Sequence, residues 1–170
     1  MASTYTTNLG IEKIGTGEQD GTWGDTTNTN FDLLDQACNG METITLTTAG
    51  TTASPNILPI TDGTASSGRN AFVTFDDTSD LGGNVFVQLT PATAEKIVYI
   101  RNALQGGRNL KLFQGTYTSS SRQLTIKSGE TICAFFDGTG DTTAKARNMF
   151  NDLPVEALTV DNSLQISGNS

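Results

Sequence analysis

Between residues 41 and 150 the chain alternates apolar and polar positions in short runs: ETITLTT, AFVTF, VFVQL, EKIVYI, NLKLF, QLTIK and TICAFF. A period of two sends successive side chains to opposite faces of a strand, so Ile44 shares a face with Leu46, and Val85 with Val87 and Leu89. In TICAFF, Ile132, Ala134 and Phe136 oppose Cys133 and Phe135. Between the runs stand segments rich in turn formers: TDGTASSG, DDTSDLGGN, LTPATAE, ALQGGRN, YTSSS, KSGE and FDGTG. Short strands at this spacing predict a mainly β protein, an antiparallel β-sandwich of jelly-roll-like form. Helical crossovers are missing between the runs, which argues against a parallel α/β sheet.

Upstream the period changes. Phe31, Leu34 and Cys38 stand at i, i+3 and i+7, Thr26 or Thr27 is available as an N-cap, and Gly40 is placed to end a helix. The spacing predicts one short amphipathic helix over about residues 28–39. A helix of that length is marginal alone in water, so its apolar stripe must pack on something. Leu9, Ile11 and Ile14 are too sparse to form a core and predict an extended arm. After residue 150, ALTV and SLQI form two further alternating pieces, the first suited to closing the sandwich. The chain therefore divides into an arm with a helix (1–40), a β domain (41–150), and a closing strand with the start of a shaft or linker (151–170). The ending ISGNS suggests a piece of a longer protein.

Composition narrows the chemistry. The 170 residues carry a net charge of −8, which repels a phosphate backbone, and no basic run opposes it, so nucleic acid is not an expected partner. Histidine is absent, which removes Ser-His-Asp and Cys-His catalysis and histidine-ligated metals. Cys38 and Cys133 lie far apart, outside any CxxC spacing, and read as separate buried hydrophobes. No signal peptide and no run of about 20 apolar residues appears, so neither a membrane nor a cofactor is expected, and synthesis in a reducing cytoplasm is.

Few groups invite a chemical reading. GTGEQDG resembles a phosphate loop but lacks its Gly-Lys-Ser/Thr ending and carries Glu18 and Asp20. Asp76, Asp77 and Asp80 crowd one turn and form a weak calcium candidate without EF-hand spacing. Ser119 to Ser121 read as a polar loop. Tyr99, Phe113, Tyr117 and Phe135 could stack on sugar, although aromatics at strand positions usually belong to cores. The only tryptophan, Trp23, stands between Gly21 and Gly24 in a segment unable to bury it. It either anchors in a partner pocket or folds back onto the β domain.

The stretch YTTNLGIEKIGTGEQDGTWGDTTNTNFDLLDQACNG resembles the opening of bacteriophage tail-fibre and related virion fibre proteins: an Asn-Leu segment, a Gly-x-x-x-Gly-x-Trp-Gly turn, then an Asn-rich helix start. VFVQLTPATAEKIVYIRNAL, NLKLFQG and LTIKSGETICAFFDGTG are similar to the β domain that often follows there, closing on Phe-Asp-Gly. The resemblance spans most of residues 4 to 140. It implies a non-enzymatic structural protein of the virion, trimeric, whose N-terminal part docks on a tail, adaptor, nozzle or baseplate protein. The implied docking residues are Gly21, Trp23, Gly24, Asn28, Asn30 and Phe31, to which the helix pattern adds Leu34. Family members continue into a shaft and a tip that meets the host surface, commonly a glycan; this sequence stops at Ser170. A capsid decoration or head fibre protein and a carbohydrate-binding module are the competing expectations.

Overall fold

The computed structural model describes residues 2–151, so ALTV and SLQI lie outside the described residues. The described residues are mainly β with one α-helix. Nine strands build two sheets: β3 (Met41–Leu46), β4 (Asn56–Pro59), β5 (Phe72–Asp77), β6 (Val85–Thr90), β7 (Glu95–Asn102), β8 (Leu110–Gln114), β9 (Leu124–Ile126), β10 (Thr131–Asp137) and β11 (Ala146–Asn148). They follow a small hairpin of β1 (Thr4–Tyr5) and β2 (Glu12–Lys13) and the helix α1 (Trp23–Asn39).

From β3 to β8 the chain deals its strands alternately to the two sheets. One has the order β11-β10-β7-β5-β3 and the other β4-β6-β8-β9. β3, β5 and β7 run parallel, as do β4, β6 and β8. Antiparallel pairing enters with β9 against β8 and with β10 between β7 and β11. The expected all-antiparallel, jelly-roll pairing is thus corrected. A parallel neighbour requires a crossover, and here each crossover is a strand of the other sheet, so no helix is needed between them. By the same geometry the turn after DDTSD is a crossover, because β5 and β6 on either side of it belong to different sheets.

Alternation then fixes the core. Val73 and Phe75 of β5, Val98 and Ile100 of β7, and Ala134 and Phe136 of β10 meet Leu58 of β4, Val85, Val87 and Leu89 of β6, and Leu110 and Leu112 of β8 in one cluster. Fully burying a side chain of this kind contributes about 1.5–3 kcal/mol, which makes this cluster the main stabilising element.

The N-terminal segment is not the expected extended arm. Gly10 turns it in a left-handed conformation (φ +59°), and the hairpin is tied to the β domain by Gly63 N–H donating to Gly10 O (2.7 Å) and Glu95 N–H to Asn8 Oδ1 (3.0 Å). The helix begins five residues before the expected start, at Trp23. Gln19 O accepts from the Thr22 and Trp23 amides (2.9 and 3.0 Å), and Thr22 takes the N-cap position without a side-chain bond. Thr26 and Thr27 do not cap; Thr27 Oγ1 donates back to Trp23 O (2.8 Å), a bond open to a threonine inside a helix. Gly40 ends the helix as expected, but in an extended conformation (φ −60°). Its smallness answers a close approach: a Cβ there would run into Gln36 O and Asn70 Oδ1.

The helix sits on the segment Ser66–Asn70. Gln36 Nε2 donates to Ser66 O (3.3 Å), Ser66 N–H donates to Gln36 Oε1 (3.4 Å), and Leu33 is the helix's one buried residue. Arg69, fully buried, stiffens that seat by donating to Thr61 O (2.5 Å) and Thr64 O (2.9 Å).

Phe136→Ala empties the centre of the cluster and is expected to lower unfolding free energy by about 3–5 kcal/mol, read from the urea midpoint at constant slope. A change below about 1 kcal/mol would show that the two sheets do not share this core.

Candidate functional site

Helix α1 presents to solvent the stripe that its sequence marks as apolar. At 3.6 residues per turn, Trp23, Phe31, Leu34 and Cys38 fall within about a quarter of the circumference. Trp23 and Phe31 are each 63% exposed, Leu34 is 40% exposed, and Cys38, expected to be a buried hydrophobe, is exposed as well. Leu33 takes the buried position instead, on the side of the helix from which Gln36 bonds to Ser66. Trp23 therefore does not fold back onto the β domain.

The remaining expected docking residues separate into two roles. Gly21, in a left-handed turn (φ +80°), and Gly24, in the first helical turn, have no atom within 4 Å of where a Cβ would stand, so the chain's own packing does not require their smallness. Asn28 is exposed on the flank of the stripe. Asn30 works inside the chain: its Oδ1 accepts from Glu12 N–H (3.0 Å) and its Nδ2 donates to Glu12 O (2.9 Å). It pins the helix to β2 and so holds the stripe in place.

A second apolar surface lies on the outer face of the five-stranded sheet. Met41, Phe72, Tyr99 and Cys133 occupy matched positions on β3, β5, β7 and β10. Met149 completes the row, its amide donating to Cys133 O (2.9 Å), while burial pushes the Cys133 thiol pKa up. Ile97 and Phe135 form the next matched pair. A recess of about 460 Å³ between Leu9, Ala37, Cys38, Ile97 and Phe135 joins this face to the helix. Pattern reading missed the face by treating outward positions as solvent. EKIVYI held the signal, since Ile97 and Tyr99 are apolar on one parity while Val98 and Ile100 are apolar on the other, as in a strand covered on both sides.

The other candidates do not converge. Asp76 and Asp77 are successive residues of β5 and point to opposite faces, Asp77 Oδ1 accepting from Gln105 N–H (3.1 Å). Asp80 is held by Arg108, whose Nε and Nη2 donate to its two oxygens at 2.7 and 2.8 Å. No group of three or more potential metal ligands occurs among the described residues. Tyr117 packs edge-on against buried Phe113, whereas Tyr99 and Phe135 lie on the other sheet, so the four aromatics make no single platform. Ser119 accepts from Ser121 N–H (3.2 Å) and caps a short 3-10 turn. No helix among the described residues is long and apolar enough to cross a membrane. No protein family, curated protein or solved structure matches the chain.

Asn30→Ala removes both bonds to Glu12 and is expected to cost about 1–2 kcal/mol. Amide exchange should quicken in residues 4–30 while the strands stay protected, and uniform quickening would contradict the local role.

Hydrogen bonds from Arg108, then from Gly82 N–H, hold the Asp80 carboxyl at about 2. A depressed carboxylate adds stability above its ordinary value near ~4, lost as pH falls toward about 2. Carboxyl NMR should give a midpoint near 2 in the native chain and near ~4 in Arg108→Gln; equal midpoints would refute the pairing in solution.

Proposed function

We propose that this chain is the N-terminal attachment region of a phage tail fibre, a non-enzymatic structural protein of the virion made in the host cytoplasm. The observation that carries the reading is the exposed stripe of Trp23, Phe31 and Leu34 on a helix that Gln36 holds from behind and Asn30 from the edge of the stripe. Large apolar side chains kept in water by a braced element suit burial against a partner, and tryptophan is enriched among residues that dominate such contacts. The partner is a tail, adaptor, nozzle or baseplate protein, with Gly21 and Gly24 allowing close approach of its surface. The apolar outer face of the five-stranded sheet suits contact between copies, in keeping with a trimer of sandwich-like β domains.

Trp23→Ala tests the reading. With its side chain mostly in solvent, the substitution should change unfolding free energy by no more than about 0.5 kcal/mol. Binding of the purified chain to fibre-deficient particles should fall tenfold or more, the loss expected of a central interface tryptophan. Unchanged binding in a folded variant would falsify the proposal. Gold-labelled antibody over the head instead of the tail would replace it with a capsid decoration or head fibre, and a monomer in sedimentation at micromolar concentration would remove the trimer.

A further inference from the structure

At the β11 edge of the five-stranded sheet, a recess of about 640 Å³ lies beside the turn between β10 and β11. Arg122, Lys145 and Arg147 line it together with Asp137 and threonines 139, 142 and 143. Three cations thus face one carboxylate in a chain whose net charge is −8. The only salt bridge among the described residues is Arg108–Asp80, elsewhere in the fold, so none of the three cations is ion-paired there.

Their positions are set by the fold. Ala146 of β11 is buried, and alternation sends its neighbours Lys145 and Arg147 to the outer face. Arg122 arrives from the short 3-10 turn before β9 and is fastened to the opposite wall. Its Nε and Nη2 donate to Ala144 O (2.9 and 2.7 Å), and its Nη1 donates to Thr118 Oγ1 (2.5 Å). Asp137 supplies one negative charge against three positive ones, and its Oδ1 is held in place by Lys145 N–H (2.8 Å), Thr139 Oγ1 (3.0 Å) and Thr139 N–H (3.4 Å), so the recess keeps an excess of cations. Cations gathered in this way repel one another unless an anion stands between them.

We infer that this recess binds a phosphate- or sulfate-class oxyanion, free or as the ester of a small hydroxylated molecule. Such a group carries up to two charges and three or more acceptor oxygens, matching several cations better than a single carboxylate does. Threonine hydroxyls at the rim can bond a polyol body. A polynucleotide is disfavoured because the surrounding surface is acidic. This site shares no residue with the helix stripe of Trp23, Phe31 and Leu34 and does not depend on the attachment reading.

Calorimetric titration of the full chain at low salt with inorganic phosphate, glucose 6-phosphate and glucose tests the inference. Saturable binding of phosphate or its ester, none of glucose, and weakening with added sodium chloride are expected. Equal affinity for both phosphates would identify the free anion as ligand, and tighter binding of the ester a phosphorylated sugar. Lys145→Gln/Arg147→Gln should lose about tenfold or more in affinity, whereas Lys127→Gln on a distant turn should lose none. Circular dichroism of the exposed-side double variant confirms its fold, and amide shifts confined to residues 137–147 locate the ligand. No saturable binding of either phosphate, or unchanged affinity in the folded double variant, would overturn the inference.

Discussion

Every other feature of this protein depends on burying one parity of each strand in a single cluster shared by two sheets. Eighteen residues from both sheets and their connections make that cluster. Because the chain crosses the core after each strand from β3 to β7, neighbours among β3 to β8 are separated by a strand of the other sheet and come out parallel. Neither sheet could keep its inner face dry alone, so the two sheets are expected to form together, and their long-range pairing makes slow folding the physical expectation.

The helix and hairpin are attached by different means. Leu33 is the helix's one buried residue, and its remaining ties are side-chain amides: Gln36 to Ser66 and Asn30 to Glu12. Directional polar bonds specify orientation more than they add stability, each contributing about 0.5–1.5 kcal/mol. They rotate the helix so that its largest apolar residues face outward. The body can thus remain folded while the helix presents a sticky surface, and the proposed attachment follows from this division of labour.

Charge is divided in a similar way. The chain is acidic overall, and Asp80 gives up its availability to Arg108. Basic groups not so engaged collect beside the β10–β11 turn, at the β11 edge of the sheet. Two surfaces of opposite chemistry, one apolar and one cationic, thereby stand on a common rigid body.

The sequence by itself marked seven of the strand segments and put Val85, Val87 and Leu89 on one face, which is the buried one; in TICAFF it separated Ala134 and Phe136 from Phe135 without saying which side turns inward. Period two is a local property of a strand, and burial of one face is enough to write it into the sequence. It also marked the helix, its end at Gly40 and its apolar stripe. Strand direction was not legible, because parallel and antiparallel ladders share one alternation and differ only in where the chain goes between strands. The short strands Asn56–Pro59 and Ala146–Asn148 carry too few residues to show a period, and the early helix start depends on the Gln19 turn. The side on which Phe31 and Leu34 would lie was decided by Gln36 and Asn30 reaching partners distant in sequence. Such contacts between remote residues, like the meeting of Arg122 with Lys145 and Arg147, exist only once the two sheets have closed on their core.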